Sequence, residues 1–140
     1  MIRRAQGFGS ERVPTREGLA DPGEQAYQLL HAGFALAPVL AGLDKFANAM
    51  VDWEKYLAPR VAARLPVSPR TYMRVVGVVE IAAGLLVAVK PRWGGYVVAA
   101  WLWGIIANLL LIPGYFDVAL RDFGLSLGAL ALGRLSQRRR

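Results

Sequence analysis

Hydrophobic positions along this chain gather into four long runs, with polar residues, prolines and glycines between them. The runs hold about 17–20 residues each, the length that a bilayer core requires of a helix rising 1.5 Å per residue. No run alternates with period two, so the strands of a membrane barrel are not a fitting description. Helices are the other structure that satisfies every backbone group in lipid. The pattern predicts an all-α fold: an integral membrane four-helix bundle with spans at residues 27–50, 72–89, 93–112 and 116–135. In the first span the apolar part is residues 27–43, with helix continuing to about residue 50. The third span is the most hydrophobic.

The punctuation between the runs is specific. Asp21-Pro22-Gly23-Glu24 offers an N-cap, a proline at the first helical position and an acid in the first turn. Ser68-Pro69 starts the second span in the same way. Lys90-Pro91-Arg92 and Pro113-Gly114 are tight turns, and short turns predict antiparallel neighbours among the last three spans. Residues 52–65 (DWEKYLAPRVAARL) carry charge and aromatic rings and are broken by Pro59. They read as a short interfacial segment lying on the membrane, with Trp53 and Tyr56 at headgroup level. Residues 1–24 are polar and rich in glycine and arginine, and no apolar stretch follows Arg3 and Arg4 as in a cleavable signal peptide. The expected organisation is a flexible cytoplasmic tail at 1–24, a transmembrane domain at 25–136 and a basic tail at 137–140.

Composition sharpens this picture more than it creates it. A chain of 140 residues allows one domain. Hydrophobic residues at 55% and charged residues at 19%, with mean hydropathy +0.34, sit near the upper edge of the soluble range, so distribution decides the class. Charges crowd into residues 1–24, 44–74 and 134–140. A net charge of +7 would point to nucleic acid in a soluble chain. Here the basic residues flank apolar runs, where they set topology and meet anionic headgroups, so the expected partner is the lipid bilayer and not nucleic acid. The absence of cysteine excludes thiolate metal sites, iron–sulfur ligation and disulfide exchange by this chain. The single histidine, His31, excludes bis-histidine haem within one copy, so no metal site and no cofactor of its own are expected.

Orientation follows from the basic residues. Arg3, Arg4, Arg12, Arg16, Lys90, Arg92, Arg134 and Arg138–Arg140 share one side of the four-span arrangement. Lys45, Lys55, Arg60, Arg64, Arg70, Arg74 and Arg121 share the other, several of them beside acids. The bias places both termini inside.

Ionisable groups within a span are costly and usually face the protein interior. On the second span Gly77, Glu80 and Gly84 share a face with Ala88; on the third, Gly104 and Asn108 follow Ala100. On the fourth, Asp117, Arg121, Gly124 and Gly128 form a stripe, and on the first His31, Ala35, Pro38, Gly42 and Lys45 do so. The small residues Gly42, Gly77, Gly84, Gly104, Gly124 and Gly128 are therefore expected at helix contacts. By depth, Lys45, Asn108, Asp117, Arg121 and Asp122 fall near the outer ends of their helices, with Glu80 near the middle and His31 alone in the inner half. They predict a polar cluster opening outward with Glu80 at its floor. Two readings stay open: structural pairing, with Asp117 and Arg121 neutralising each other at i,i+4, Lys45 snorkelling to the interface and Glu80 pairing with a cation so that the bundle assembles, or a ligand or proton site. His31 reads as a packing residue.

Several of these stretches resemble the DoxX-like family of small four-helix membrane proteins. The likeness covers about residues 25–135. It rests on AGLDKF at 41–46, VGVVEIAAGLLVAVKPRWGGY at 76–96 and LRDFGLSLGALAL at 120–132. Gly42 with Lys45 and Glu80 with Gly84 look like the family's recurring positions. The resemblance implies an accessory subunit of a membrane redox or quinone-linked assembly, such as thiosulfate:quinone oxidoreductase, in a bacterial cytoplasmic membrane. Three functions follow as expectations. The first is a non-catalytic subunit or scaffold that docks to other membrane proteins or to itself. The second is a transporter or binder of a quinone or small anion, using Lys45, Glu80, Arg121 and Asp122. The third is a membrane enzyme, for which Glu80 with Asp122 is the one available acid–base pair.

Overall fold

The structure, a computed structural model, describes residues 21–138. Four long helices carry most of the described chain: α1 (Pro22–Ala47), α3 (Pro69–Val89), α4 (Pro91–Leu110) and α5 (Phe116–Ser136). A single 3-10 turn (Trp53–Tyr56) and a one-turn helix α2 (Pro59–Ala62) lie between α1 and α3. The tail assigned to residues 1–24 falls outside the described residues up to 20, as do Arg139 and Arg140. Residues 22–24 are the first turn of α1.

Local chemistry sets the helix ends. The Asp21 carboxylate accepts from the Gly23 N–H at 3.0 Å, and the Ser68 hydroxyl accepts from the Thr71 N–H at 3.2 Å, each ahead of a proline at the first helical position. Helix α1 stops at Ala47 and does not continue to residue 50. Asn48 turns left-handed at φ 49°, and the Asp44 carboxylate takes the Ala49 and Met50 N–H groups that further helix would have used otherwise.

Only Lys90 separates α3 from α4. Proline at 91 has no N–H, so the Val87 carbonyl four residues earlier lacks its helical donor. His31 supplies one: its Nε2 lies 2.9 Å from that carbonyl oxygen and 3.2 Å from that of Ala88. Because carbonyls only accept, Nε2 carries the proton. His31 is thus a packing residue that completes the end of a neighbouring helix.

Helix α1 packs most extensively on α3, and α4 on α5; the α3–α4 and α1–α5 contacts are smaller, and α1 barely meets α4. The α3–α4 pair, joined by the tightest turn, is close near that turn, where a Cβ on Gly94 would stand 2.5 Å from the Val87 Cα. The main apolar core lies in this same half: Ala83, Val87, Val98, Ala99, Ala129 and Leu132, with Leu30 and Phe34 against it. Outward, the long helices leave large apolar side chains bare, Leu29 and Val89 being about three-quarters exposed. Apolar faces this wide belong against lipid or another protein. Helices α1, α3 and α4 are long and apolar enough to cross a membrane. Helix α5 matches them in length, but Asp117, Arg121, Asp122 and Arg134 set its composition apart.

The glycines divide into two groups. A Cβ on Gly42 would stand 2.5 Å from the Gly77 carbonyl oxygen, and one on Gly77 2.6 Å from that of Gly42, so α1 and α3 touch backbone to backbone. Gly84 meets the Ala35 carbonyl on the same seam, and Gly128 meets the Phe34 ring across α1 and α5. Gly104 and Gly124, expected at contacts, have nothing within 4 Å of their Cβ positions. Their stripes drift off the helix interfaces, and the close approach of α4 to α5 runs instead through Gly95 and Gly133.

Candidate functional site

The half of the molecule away from the Lys90 turn is organised around one ion pair. Lys45, in the last turn of α1, reaches Glu80 in the middle of α3 with Nζ 2.7 Å from Oε2, and both side chains are at most 10% exposed. The antiparallel α1–α3 seam puts them there: the Gly42–Gly77 contact brings the two backbones together one turn away. The same ammonium lies 3.7 Å from the centroid of the Trp53 ring. The cation is therefore covered by a carboxylate on one side and an indole face on the other. Among the described residues this is the one salt bridge.

Two side-chain clasps fix the segment that carries Trp53. The Asp44 carboxylate accepts from the Trp53 indole N–H at 2.8 Å as well as from the backbone beyond α1. Asn108, near the end of α4, accepts from the Ala58 N–H at 2.9 Å and donates to the Tyr56 carbonyl at 2.5 Å. A side-chain amide that satisfies one donor and one acceptor of an irregular backbone replaces the strand or helix partner which that backbone lacks. Leu57 and Ala58 are buried as a result, Ala58 completely. Within the 52–65 segment, residues 53–58 fold against the open end of the helices, while Pro59, Arg60, Ala63 and Arg64 stay exposed. Trp53 faces Lys45, and Tyr56 stacks near Tyr115, with ring centroids 5.1 Å apart.

Beneath this cap is a cavity of about 540 Å³. Trp53, Tyr56, Tyr72 and Trp101 give it aromatic walls; Lys45, Asn108, Arg121 and Asp122 give it polar ones. Arg121 forms no ion pair or hydrogen bond among the described residues, and the buried Trp101 Nε1 has no acceptor. Four of the six polar residues singled out from the sequence thus line one space. Asp117 does not: it is exposed in the first turn of α5 and makes no salt bridge with Arg121. There the positive end of the helix dipole favours a carboxylate without a side-chain partner. Glu80 supports Lys45 from outside this cavity and lines a second, apolar one of about 440 Å³ between α1 and α4.

Sequence reasoning missed the roles of Asp44, Trp53 and Trp101. Asp44-Lys45 side by side at a helix end was the available signal for the first; the other two depend on how the 48–58 segment folds back. Of the two carboxylates expected to form an acid–base pair, Glu80 is in the ion pair with Lys45 and Asp122 lines the cavity. No group of three histidine or acidic residues capable of holding a metal occurs among the described residues. Comparison with protein-family models, with curated proteins and with solved structures finds no match to this chain.

Proposed function

We propose that this chain is a four-span membrane protein, both termini cytoplasmic, that binds a small amphipathic molecule in the capped cavity of its outer half. The observation that carries the reading is the cavity itself. Protein interiors are close-packed, yet here about 540 Å³ stays open beneath a segment clasped by Asp44 and Asn108. That volume, with mostly apolar walls and a few polar groups, is typical of small-molecule sites. Helix α5 counts as the fourth span in this reading because it matches the other long helices in length and two of its charged residues, Arg121 and Asp122, line the cavity. The resemblance to the DoxX-like family supports a quinone-linked setting in a bacterial cytoplasmic membrane, and a quinone headgroup belongs to this class of ligand.

An accessory subunit is the second reading. It is favoured by Gly124, whose face is open within the chain and outside the cavity. Native mass spectrometry of protein extracted with its membrane lipid separates the two. The binding reading expects one small-molecule adduct per chain, lost in Gly104→Leu, which fills the cavity from a position with free space. Recovery only in complex with other polypeptides, or the same adduct on the variant, would favour the alternative.

A further inference from the structure

Three arginines gather on one flank of the α4–α5 pair, at the end away from the cavity. The two helices touch backbone to backbone there. A Cβ on Gly95 would stand 2.7 Å from the Ala129 carbonyl oxygen, and one on Gly133 3.3 Å from that of Arg92. That contact sets Arg92 and Arg134 at one level on the two helices. The Gln137 amide donates to the Tyr96 hydroxyl at 2.8 Å, which marks the flank. Arg92 precedes Tyr96 by one turn and Arg134 precedes Gln137 by three residues, so both lie on that flank, and Arg138 follows one turn beyond Arg134. Helix α3 meets α4 at Gly94 and α1 meets α5 at Gly128, each on a different face.

All three arginines are exposed, and none forms an ion pair among the described residues. Lys90, in the α3–α4 turn, adds a fourth exposed cation. The pair of helices offers no acid to answer them: α4 has none, and Asp117 and Asp122 sit toward the other end of α5. On α1, Asp21 caps the Gly23 N–H and Glu24 accepts from the Gln28 amide. The Arg92 guanidinium lies 5.2 Å from the centroid of the Trp93 ring, and that ring is 58% exposed, as a tryptophan at a membrane interface is. Toward the middle of the helices the flank turns apolar. Trp103, seven residues after Tyr96, and Leu127, seven before Arg134, are both about half exposed. Guanidiniums suit a phosphate, which they can grip with two parallel hydrogen bonds, and the apolar strip above them suits acyl chains. Among four cations a choline ammonium would face its own sign, whereas an anionic head adds no opposing charge.

Resting on the four-span reading above but not on the cavity, we propose that this flank binds one anionic phospholipid. Its phosphate lies between Arg92 and Arg134, and its acyl chains run along Trp103 and Leu127. The test is native mass spectrometry of the detergent-purified full chain, with dioleoyl-phosphatidylglycerol or dioleoyl-phosphatidylcholine added. One phosphatidylglycerol should bind per chain, in clear preference to phosphatidylcholine. Arg92→Gln combined with Arg134→Gln should weaken that binding by about tenfold or more, the loss expected for two cations at a membrane surface. Arg60→Gln combined with Arg64→Gln removes as much charge from exposed positions near the cap and should leave the adduct unchanged. Gly104→Leu, which fills the cavity, should leave it unchanged too. Equal binding of the two lipids, equal loss in the two double variants, or loss in Gly104→Leu would overturn the proposal. Labelling Val118→Cys and Arg138→Cys, at the two ends of α5, separates this failure from that of the four-span reading. Labelling from one side of the membrane would refute the span and the lipid site with it. Labelling from opposite sides, together with any of the failures above, would refute the lipid site alone.

Discussion

At the scale of single residues, the molecule turns on a buried cation with two partners. Lys45 faces Glu80 at 2.7 Å and the Trp53 ring at 3.7 Å, and neither charge of the pair is open to solvent. A buried pair that loses one member leaves an unmatched charge, which costs about 3–5 kcal/mol, whereas removal of both costs far less. Lys45→Met and Glu80→Gln should therefore each destabilise the protein by about that amount in thermal unfolding followed in nanodiscs, and the double variant should recover most of the loss. Singles that melt like the parent would show that the pair contributes nothing to folding. The sequence placed Lys45 and Glu80 on faces lined with small residues, because helical spacing and charge are both local properties. A cation for Glu80 was among the structural readings, but that Lys45 is that cation was not legible, since 35 positions separate them and the contact depends on the α1–α3 register. The expected Asp117–Arg121 pair failed for the opposite reason. Spacing alone allowed it, but Arg121 faces the cavity while Asp117 remains at the exposed start of α5.

At the scale of elements, apolar run length and proline caps were enough to locate all four long helices, and the structure moves their ends by a few residues. Side-chain competition for the backbone, as at Asp44, accounts for the early stop of α1. The glycine stripes were less informative, because every small residue on a face looks alike until the crossing geometry selects some of them. Gly77 is selected and Gly104 is not. Gly77→Ala would push a methyl into the Gly42 carbonyl and should destabilise by about 1–3 kcal/mol. Gly104→Ala meets open space and should gain up to about 1 kcal/mol from helix propensity. Chemical unfolding of the two variants side by side checks the contrast, and equal effects would mean that the α1–α3 seam is not close. The 52–65 segment was the least legible element. Its aromatic and charged composition suits a membrane surface, and the Asp44 and Asn108 clasps that fold its first part against the helices are made across 9 to 52 positions.

At the scale of the whole molecule, the apolar core and the polar cavity lie in opposite halves. The core of Ala83, Val87, Val98, Ala99, Ala129 and Leu132 closes the end near the Lys90 turn, and the capped cavity occupies the far end. An outward-opening polar region was the expectation from depth along the helices, and the cavity holds Lys45, Asn108, Arg121 and Asp122 in that half. The side of a membrane that this half faces follows from the distribution of basic residues, and the crossing of α5 from its length and from Arg121 and Asp122 lining the cavity. Both points are decided together by labelling the two ends of α5. The chain has no cysteine, so single substitutions report cleanly. Val118→Cys, in the cavity wall, and Arg138→Cys, just past the end of α5, are exposed to a membrane-impermeant maleimide on intact cells and again after permeabilisation. The account predicts that Val118→Cys is labelled on intact cells and Arg138→Cys only after permeabilisation. Labelling of both positions from the same side, or in the reverse order, would contradict it.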